Sequence, residues 1–551
     1  MTEPPQPPNQ PPTPSGYGHL PGPPQSGYGQ PPQGANPYAQ QQPPTVPQQP
    51  AAPQQPAPGY GYPPPPPGAP AMPTGAPGTP PPAKKKAAVL IAAAVAGVLV
   101  VGAGTYFAFF RGDGGDPKPP VAQESAPPDA KPSGSPSVDK GDGSGNGGSE
   151  ADLNSGRKQG EDKVLWLKTA KIDGPGAGVK TDGQWVVGDT VVKTVDKAVT
   201  AYAVADGKEK WKLTLPAGIC AVTRQTTADS KTVVMYRDGD SNSANCNQMR
   251  LIDLKAGKEG WSKEVPKEGA FDLFVDPSLA LTGDTVTVSR LTRATAFKLS
   301  TGDKLFASPS EGCMPGAYPA GNGKMLGIAT CRDADSTVEV QDADPVTGKS
   351  TWSYRLPKGW RVNRVFSLDP IVLDLGNRDT KERSIVVLGP DGKQRATVTG
   401  EGNFSTECGM NHDDSLQSCA TSVVDSGTLY MPTTTDIGTA NEIVAFDLGT
   451  GKAKWRVPAG DKRVIVPLKA ENGQLIAYRK AEFGMGGEVL TIPAGGGTPT
   501  AVLRHPSGPA SEVESTFFAP VVDYADGRFF ISTIRLLAQG KDEKLLMVFG
   551  K

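Results

Sequence analysis

Ala445 to Trp455 reads AFDLGTGKAKW, the most regular copy of an eleven-residue phrase that recurs downstream of Glu161. Each copy has an apolar strand end and a turn centred on Gly, and all but one have an aromatic residue four places after that Gly. The others are AYAVADGKEKW ending at Trp211, LIDLKAGKEGW at Trp261, AFKLSTGDKLF at Phe306, DADPVTGKSTW at Trp352 and VVLGPDGKQRA at Ala396. Asp-Gly, Ala-Gly or Thr-Gly supplies the positive-φ residue that a tight hairpin needs, with strand-forming residues on either side. The turn glycines Gly207, Gly257, Gly302, Gly348, Gly392 and Gly451 lie 50, 45, 46, 44 and 59 residues apart. At that interval, the 391 residues from Glu161 to Lys551 hold eight units.

Between phrases lie further strand-like runs, such as Thr232–Tyr236, Asp284–Ser289 and Gly427–Met431. Four short antiparallel strands in a unit of this length make a propeller blade, so the region is predicted to be an all-β, eight-bladed β-propeller. One blade cannot bury both faces of its sheet. Trp166, Trp211, Trp261, Phe306, Trp352 and Trp455 are therefore expected to act as wedges between neighbouring blades. The two ends of the region complete one blade between them: Lys544–Phe549 stops without its turn and aromatic, and Lys163–Lys168 supplies a strand with Trp166. Such a clasp removes open sheet edges. The run near Leu490–Val502 has a Gly-rich turn, Gly495–Gly497, but no Trp, which leaves seven blades as the alternative.

The phrase at Ala445–Trp455 resembles the blade motif of the PQQ-like β-propeller family, and the other copies keep its spacing with losses at Phe306 and Ala396. The resemblance spans residues 161–551. It implies architecture more than activity, because the family includes quinone-dependent dehydrogenases, BamB-like assembly lipoproteins and sensor domains of membrane kinases. The quinoprotein pattern requires adjacent cysteines, a cofactor-bound calcium and an Asp base; this chain has no Cys-Cys pair.

Upstream, the composition changes twice. Residues 1–83 hold 31 of the 57 prolines, no Lys or Arg, and Glu3 alone as acid. So few apolar side chains cannot offset roughly 1–2 kcal/mol of backbone entropy per ordered residue, which predicts a disordered Pro/Gln/Gly/Tyr-rich tail. Lys84–Lys86 then precede 24 uncharged residues, Ala87–Phe110, followed by Arg111. As a helix, such a run measures about 36 Å against a hydrocarbon core of about 30 Å, so residues 84–111 are predicted to form one transmembrane helix with flanking charges. The lysines put the tail in the cytoplasm and everything after Arg111 outside. Small residues at Ala88, Ala92 and Ala96, or Ala93 and Gly97, offer a helix-pairing face, but a plain alanine-rich anchor is the better reading. Residues 112–160 read as a flexible Gly/Pro/Ser linker with a mean reach of about 40 Å. Tail, helix and linker together resemble membrane-anchored members of the family found in actinobacteria.

The six cysteines, Cys220, Cys246, Cys313, Cys331, Cys408 and Cys419, all follow the apolar run, as disulfides in an oxidising compartment would. Nearest-neighbour pairing is the most economical of the 15 connectivities that six thiols allow. With no CxxC and three His, two of them in this region, a zinc site is not expected. The loop Asp238–Asn245 begins like a calcium loop, but Ser243 stands where Gly is needed and Met249 where the closing Glu belongs, so a polar turn is the better reading. With 56 basic against 57 acidic residues, the chain lacks the basic excess of a nucleic-acid binder. No nucleophile-with-base constellation stands out, and no catalytic, cofactor or metal residues are assigned. The expectation is a non-enzymatic, membrane-tethered extracytoplasmic module that binds or scaffolds protein, peptide or glycan, with a cytoplasmic partner for the tail as a further option. The alternatives are an envelope sensor coupled to the tail and, least favoured, a quinone-dependent dehydrogenase.

Overall fold

The computed structural model describes residues 152–174, 178–181, 183–241, 243–404, 415–419, 421–434, 436, 438–460 and 462–551. The proline-rich tail, the apolar run Ala87–Phe110 and the linker as far as residue 151 lie outside these residues. Among the described residues, no helix is long and apolar enough to cross a membrane.

Residues 163–551 form an all-β, eight-bladed propeller. Blade 1 comprises Gln184–Val187, Thr190–Val195, Ala198–Ala203 and Glu209–Thr214, hydrogen-bonded in that order. Six more blades repeat this meander over residues 219–264, 278–307, 313–355, 360–398, 423–458 and 465–504. Blade 8 takes Val521–Ala525, Arg528–Ser532 and Gln539–Gly550 from the end of the region and its fourth strand, Lys163–Asp173, from the beginning. Lys163 pairs with Gly550 and Asp173 with Gln539. First strands touch between blades 2 and 3, 5 and 6, 6 and 7, and 7 and 8, the first strand of blade 4 lies against blade 3, and the first strands of blades 8 and 1 meet, so the ring closes at the clasped blade. The count is eight because residues 465–504 form a full blade despite lacking an aromatic in the motif position.

The aromatic of each phrase packs on the turn glycine of the next blade. A methyl group at Gly207 would stand 2.8 Å from Trp166, at Gly302 2.7 Å from Trp261, at Gly348 2.5 Å from Phe306 and at Gly496 2.8 Å from Trp455; at Gly257 and Gly392 it would overlap Trp211 and Trp352. Three of the indoles also donate a hydrogen bond across the junction: Trp166 to the Val204 carbonyl (2.9 Å), Trp261 to Leu299 (2.7 Å) and Trp455 to Ala494 (3.0 Å). Ring face and donor are therefore both satisfied by the neighbouring turn. Trp185, which belongs to no phrase, bonds in the same way to Thr223 of blade 2 (3.0 Å).

Two junctions lack the aromatic, and in both the backbone closes the gap. At Ala396 the blades approach until the Thr399 N–H donates to the Gly451 carbonyl (2.7 Å). Between blades 7 and 8, the Asp162 N–H donates to the Arg504 carbonyl (2.7 Å), while the Asp162 carboxylate accepts from the Arg504 N–H (2.8 Å).

The folded part begins ahead of Glu161. Leu153 is buried with Val164, Leu503, Phe517 and Phe549. The Asn154 side chain exchanges two hydrogen bonds with the Val164 backbone (2.9 and 3.0 Å). The linker's last residues are thus held by one apolar anchor and one amide, features too small to show in composition.

Candidate functional site

A four-strand meander puts its first and third turns on one face of the ring and its second loop, together with the connection to the next blade, on the other. The turn face is built mainly of short glycine turns. The loop face carries the long segments 265–277 between blades 2 and 3 and 505–520 between blades 7 and 8. Eight of the nine large apolar side chains left exposed lie on loop-face segments: Phe271, Leu273, Val275, Leu291, Phe483, Met485, Phe518 and Leu537; the ninth, Val346, is on the turn face. Scattered exposed apolar residues are ordinary; here all but one of them fall on the same face of the ring.

The cysteines brace this same face. Cys220 is bonded to Cys246 and Cys313 to Cys331, each pair within one blade; Cys419 is also disulfide-bonded, and Cys408 lies outside the described residues. Loops of 26 and 18 residues closed in this way are worth about 3 kcal/mol each. Replacing Cys220 and Cys246 together by Ser is expected to lower the urea midpoint, with the unfolding free energy falling by about 3 kcal/mol, without changing the far-ultraviolet spectrum. An unchanged midpoint would remove the brace.

Segment 415–419 sits inside the ring. The Leu416 carbonyl accepts from the Val365 N–H on the innermost strand of blade 5 (2.7 Å). Gln417 exchanges two bonds with Ala320 of blade 4 (2.9 and 3.1 Å), and the Ser418 carbonyl accepts from the Arg224 guanidinium of blade 2 (3.2 Å). A segment touching the inner parts of three blades occupies the axis.

Segment 265–277 inverts the usual burial. Asp272 and Phe274 point inward, while Phe271, Leu273 and Val275 point out. Asp272 and Arg290, both fully buried, form a two-bond ion pair (2.7 and 2.8 Å), and the guanidinium also donates to Thr295 (2.9 Å) and lies 5.1 Å from the Phe274 ring centre. The Asp272 carboxyl is held below its ordinary value: burial alone would raise it, but the bonds from Arg290 and the Glu268 N–H outweigh that. Beside this loop, a groove of about 580 Å³ is lined by residues of segment 275–292, blade 4, Val362 and Leu416.

Two further clusters of titratable groups hold the structure together. His505 Nδ1 lies 2.7 Å from Glu514, whose carboxylate also accepts from the Tyr478 hydroxyl (2.7 Å) and the Gly487 N–H (3.1 Å); His505 and Glu514 are fully buried. Burial, reinforced by Glu514, pushes the Tyr478 hydroxyl well up. This network ties the short helix Pro509–Ser515 to blade 7. In the acidic loop, Asp238 binds Asn245 through both oxygens (2.9 and 3.0 Å) and Asp240 pairs with Lys197 (2.8 Å), so these carboxylates already have partners. The Cys313, Cys331 and Glu339 cluster is a disulfide beside a carboxylate, and bonded sulfurs are not thiolate ligands.

Burial lowers the Lys544 ammonium from 10.5 to about 8. Between those values the unfolded chain holds the proton that the folded chain has lost, so this group makes stability rise as pH increases through the window. Lys544→Met is expected to flatten that rise relative to the unsubstituted chain in urea titrations at pH 7.5 and 10; an identical rise would contradict the burial.

Residues 150–311, the clasp strand with blades 1–3, match the family model for the outer membrane protein assembly factor BamB. Over those residues the chain is similar to that family, and the same phrase repeats in the blades beyond them. Among solved structures, BamB from Moraxella catarrhalis aligns at 12% identity over 70% of this chain and 100% of its own, with a TM-score of 0.40. The computationally designed Ika8 protein aligns at 14% over 70% and 100%, at 0.44. Quinohemoprotein alcohol dehydrogenase from Comamonas testosteroni aligns at 12% over 70% and 76%, at 0.42. Such scores carry no functional argument. No curated protein matches the chain in sequence.

The sequence pattern pointed to the interblade aromatics and left the exposed apolar residues of the loop face unmarked. Its one available signal was the length of segment 265–277, with apolar residues at alternate positions.

Proposed function

We propose that this chain is a membrane-tethered extracytoplasmic binding or scaffolding module, without catalytic activity, whose loop face receives a protein, peptide or glycan. The observation that carries this reading is the segregation of exposed apolar side chains onto the face that the disulfides brace. The tether rests on the uncharged run Ala87–Phe110 and the lysines before it. Disulfides in the propeller fit an oxidising exterior.

The test places a photo-crosslinking residue at Leu273 on the loop face, or at Val346 on the turn face, of the full-length chain in its native membrane. Discrete adducts from Leu273 and none from Val346 are expected. Equal labelling from both, or none from either, would overturn the assignment of the face. Quinone-dependent dye reduction by the purified chain would overturn the non-catalytic reading.

A further inference from the structure

Resting on that reading, we infer that the groove beside segment 265–277 takes an extended, uncharged, apolar stretch of polypeptide from a partner protein. The groove's volume, about 580 Å³, lies in the range of about 300–1,000 Å³ usual for specific sites. Its walls include Val275, Leu291, Met314, Ile328, Val362 and Leu416. Phe271 and Leu273 extend the apolar surface beyond its lip, at 85% and 51% exposure.

Two features hold that surface open. Asp272 is locked to Arg290 below, and the Phe271 carbonyl accepts from the Thr292 hydroxyl (3.1 Å), which ties segment 265–277 to the loop bearing Leu291. A buried ion pair contributes little net stability compared with apolar packing. Here its effect is positional: with the charges inside, the alternation along the segment forces Phe271, Leu273 and Val275 outward. Folding forgoes the burial of these side chains, which a partner can recover.

The chemistry of the occupant follows from the walls. Asp272 neutralises Arg290, and Asp276, the carboxylate that lines the groove, is paired with Lys180 (3.4 Å), so no unbalanced positive charge calls for a phosphate or carboxylate. Arg290 Nη1 has no hydrogen-bond partner among the described residues, and a main-chain carbonyl is the acceptor that a neutral ligand supplies. The innermost strand of blade 4, Cys313–Ala317, is a sheet edge, and Met314, Gly316 and Ala317 from it line the groove. The chain already uses the equivalent edge of blade 5 in this way, through the bond from Val365 to Leu416. An extended segment laid along blade 4 would repeat that contact, backbone to backbone, with its side chains on the apolar walls.

The probe is a fluorescein-labelled, end-capped octapeptide, Gln-Val-Thr-Val-Thr-Val-Thr-Gln, titrated by fluorescence polarisation against the full-length chain in lipid nanodiscs, with empty discs as blank. Saturable binding is expected, weakened at least tenfold by Leu273→Asp with Leu291→Asp and unchanged by Phe483→Asp at the far side of the ring. Leu291→Ser alone, with an unaltered thermal midpoint, guards against misfolding and is expected to weaken binding in the same direction. No saturable binding, equal weakening by Phe483→Asp, or equal binding of the peptide with two valines replaced by proline would overturn the inference. Adducts from Leu273 in the native membrane, together with no peptide binding here, would sink the groove's peptide specificity and leave the binding-module reading standing.

Discussion

Trp166→Ala is expected to destabilise the propeller by about 3–5 kcal/mol, the range for deleting a large buried aromatic. The side chain is 1% exposed, donates to Val204 and covers Gly207 of blade 1. Its position adds a second effect. Trp166 sits in the strand that joins the two ends of the ring, so a loosened contact there opens a sheet edge as well as leaving a cavity. Trp261→Ala provides the comparison, because it removes a similar indole bond from a junction whose blades are each continuous in sequence. Urea unfolding with intact disulfides should give the larger loss for Trp166→Ala and a shallower transition, as the ring begins to open at its seam. Equal losses with equal slopes would mean that the clasp carries no special weight.

The second large effect separates glycines that serve only the turn from those that also admit a neighbour. Gly473 has φ +72° and open space around it, so Gly473→Ala should cost about 1–2 kcal/mol, the penalty of the left-handed conformation alone. Gly392 has φ +75° and lies against the Trp352 ring, where a methyl group overlaps the indole. Adding overpacking of typically 1–3 kcal/mol brings Gly392→Ala to about 2–5 kcal/mol. At Gly451 the methyl would meet the Thr397 carbonyl, which is backbone and cannot swing aside, so this substitution should be the worst of the three. Thermal midpoints in the order Gly473→Ala, Gly392→Ala, Gly451→Ala, from highest to lowest, are the expected result. If the three coincide, turn conformation alone explains the conserved spacing of the phrase within this chain.

The spacing of the phrase made blade number and ring closure legible, because a hairpin turn and a wedge aromatic recur at fixed positions in each blade. The pattern was hardest to read at Ala396 and near Leu490–Val502. There, backbone hydrogen bonds at Thr399 and Asp162 replace side-chain packing, and any residue type can make such bonds. Trp185 shows the converse, an interblade indole outside any repeat. The contact face was less legible still. Its loops vary in length from blade to blade, and Asp272 and Phe271 reverse the relation between residue type and burial on which sequence patterns depend. Leu153 is a single apolar residue in a polar stretch, and only its neighbours in space show that it is an anchor.

Leu416, Gln417 and Ser418, fastened to blades 5, 4 and 2, act as a spindle to which separate spokes are pinned. Any widening or ovalling of the ring must stretch those fastenings first. A visitor arriving at the loops therefore meets a surface whose shape is set in advance, and its binding energy goes into contact rather than into moulding the receptor.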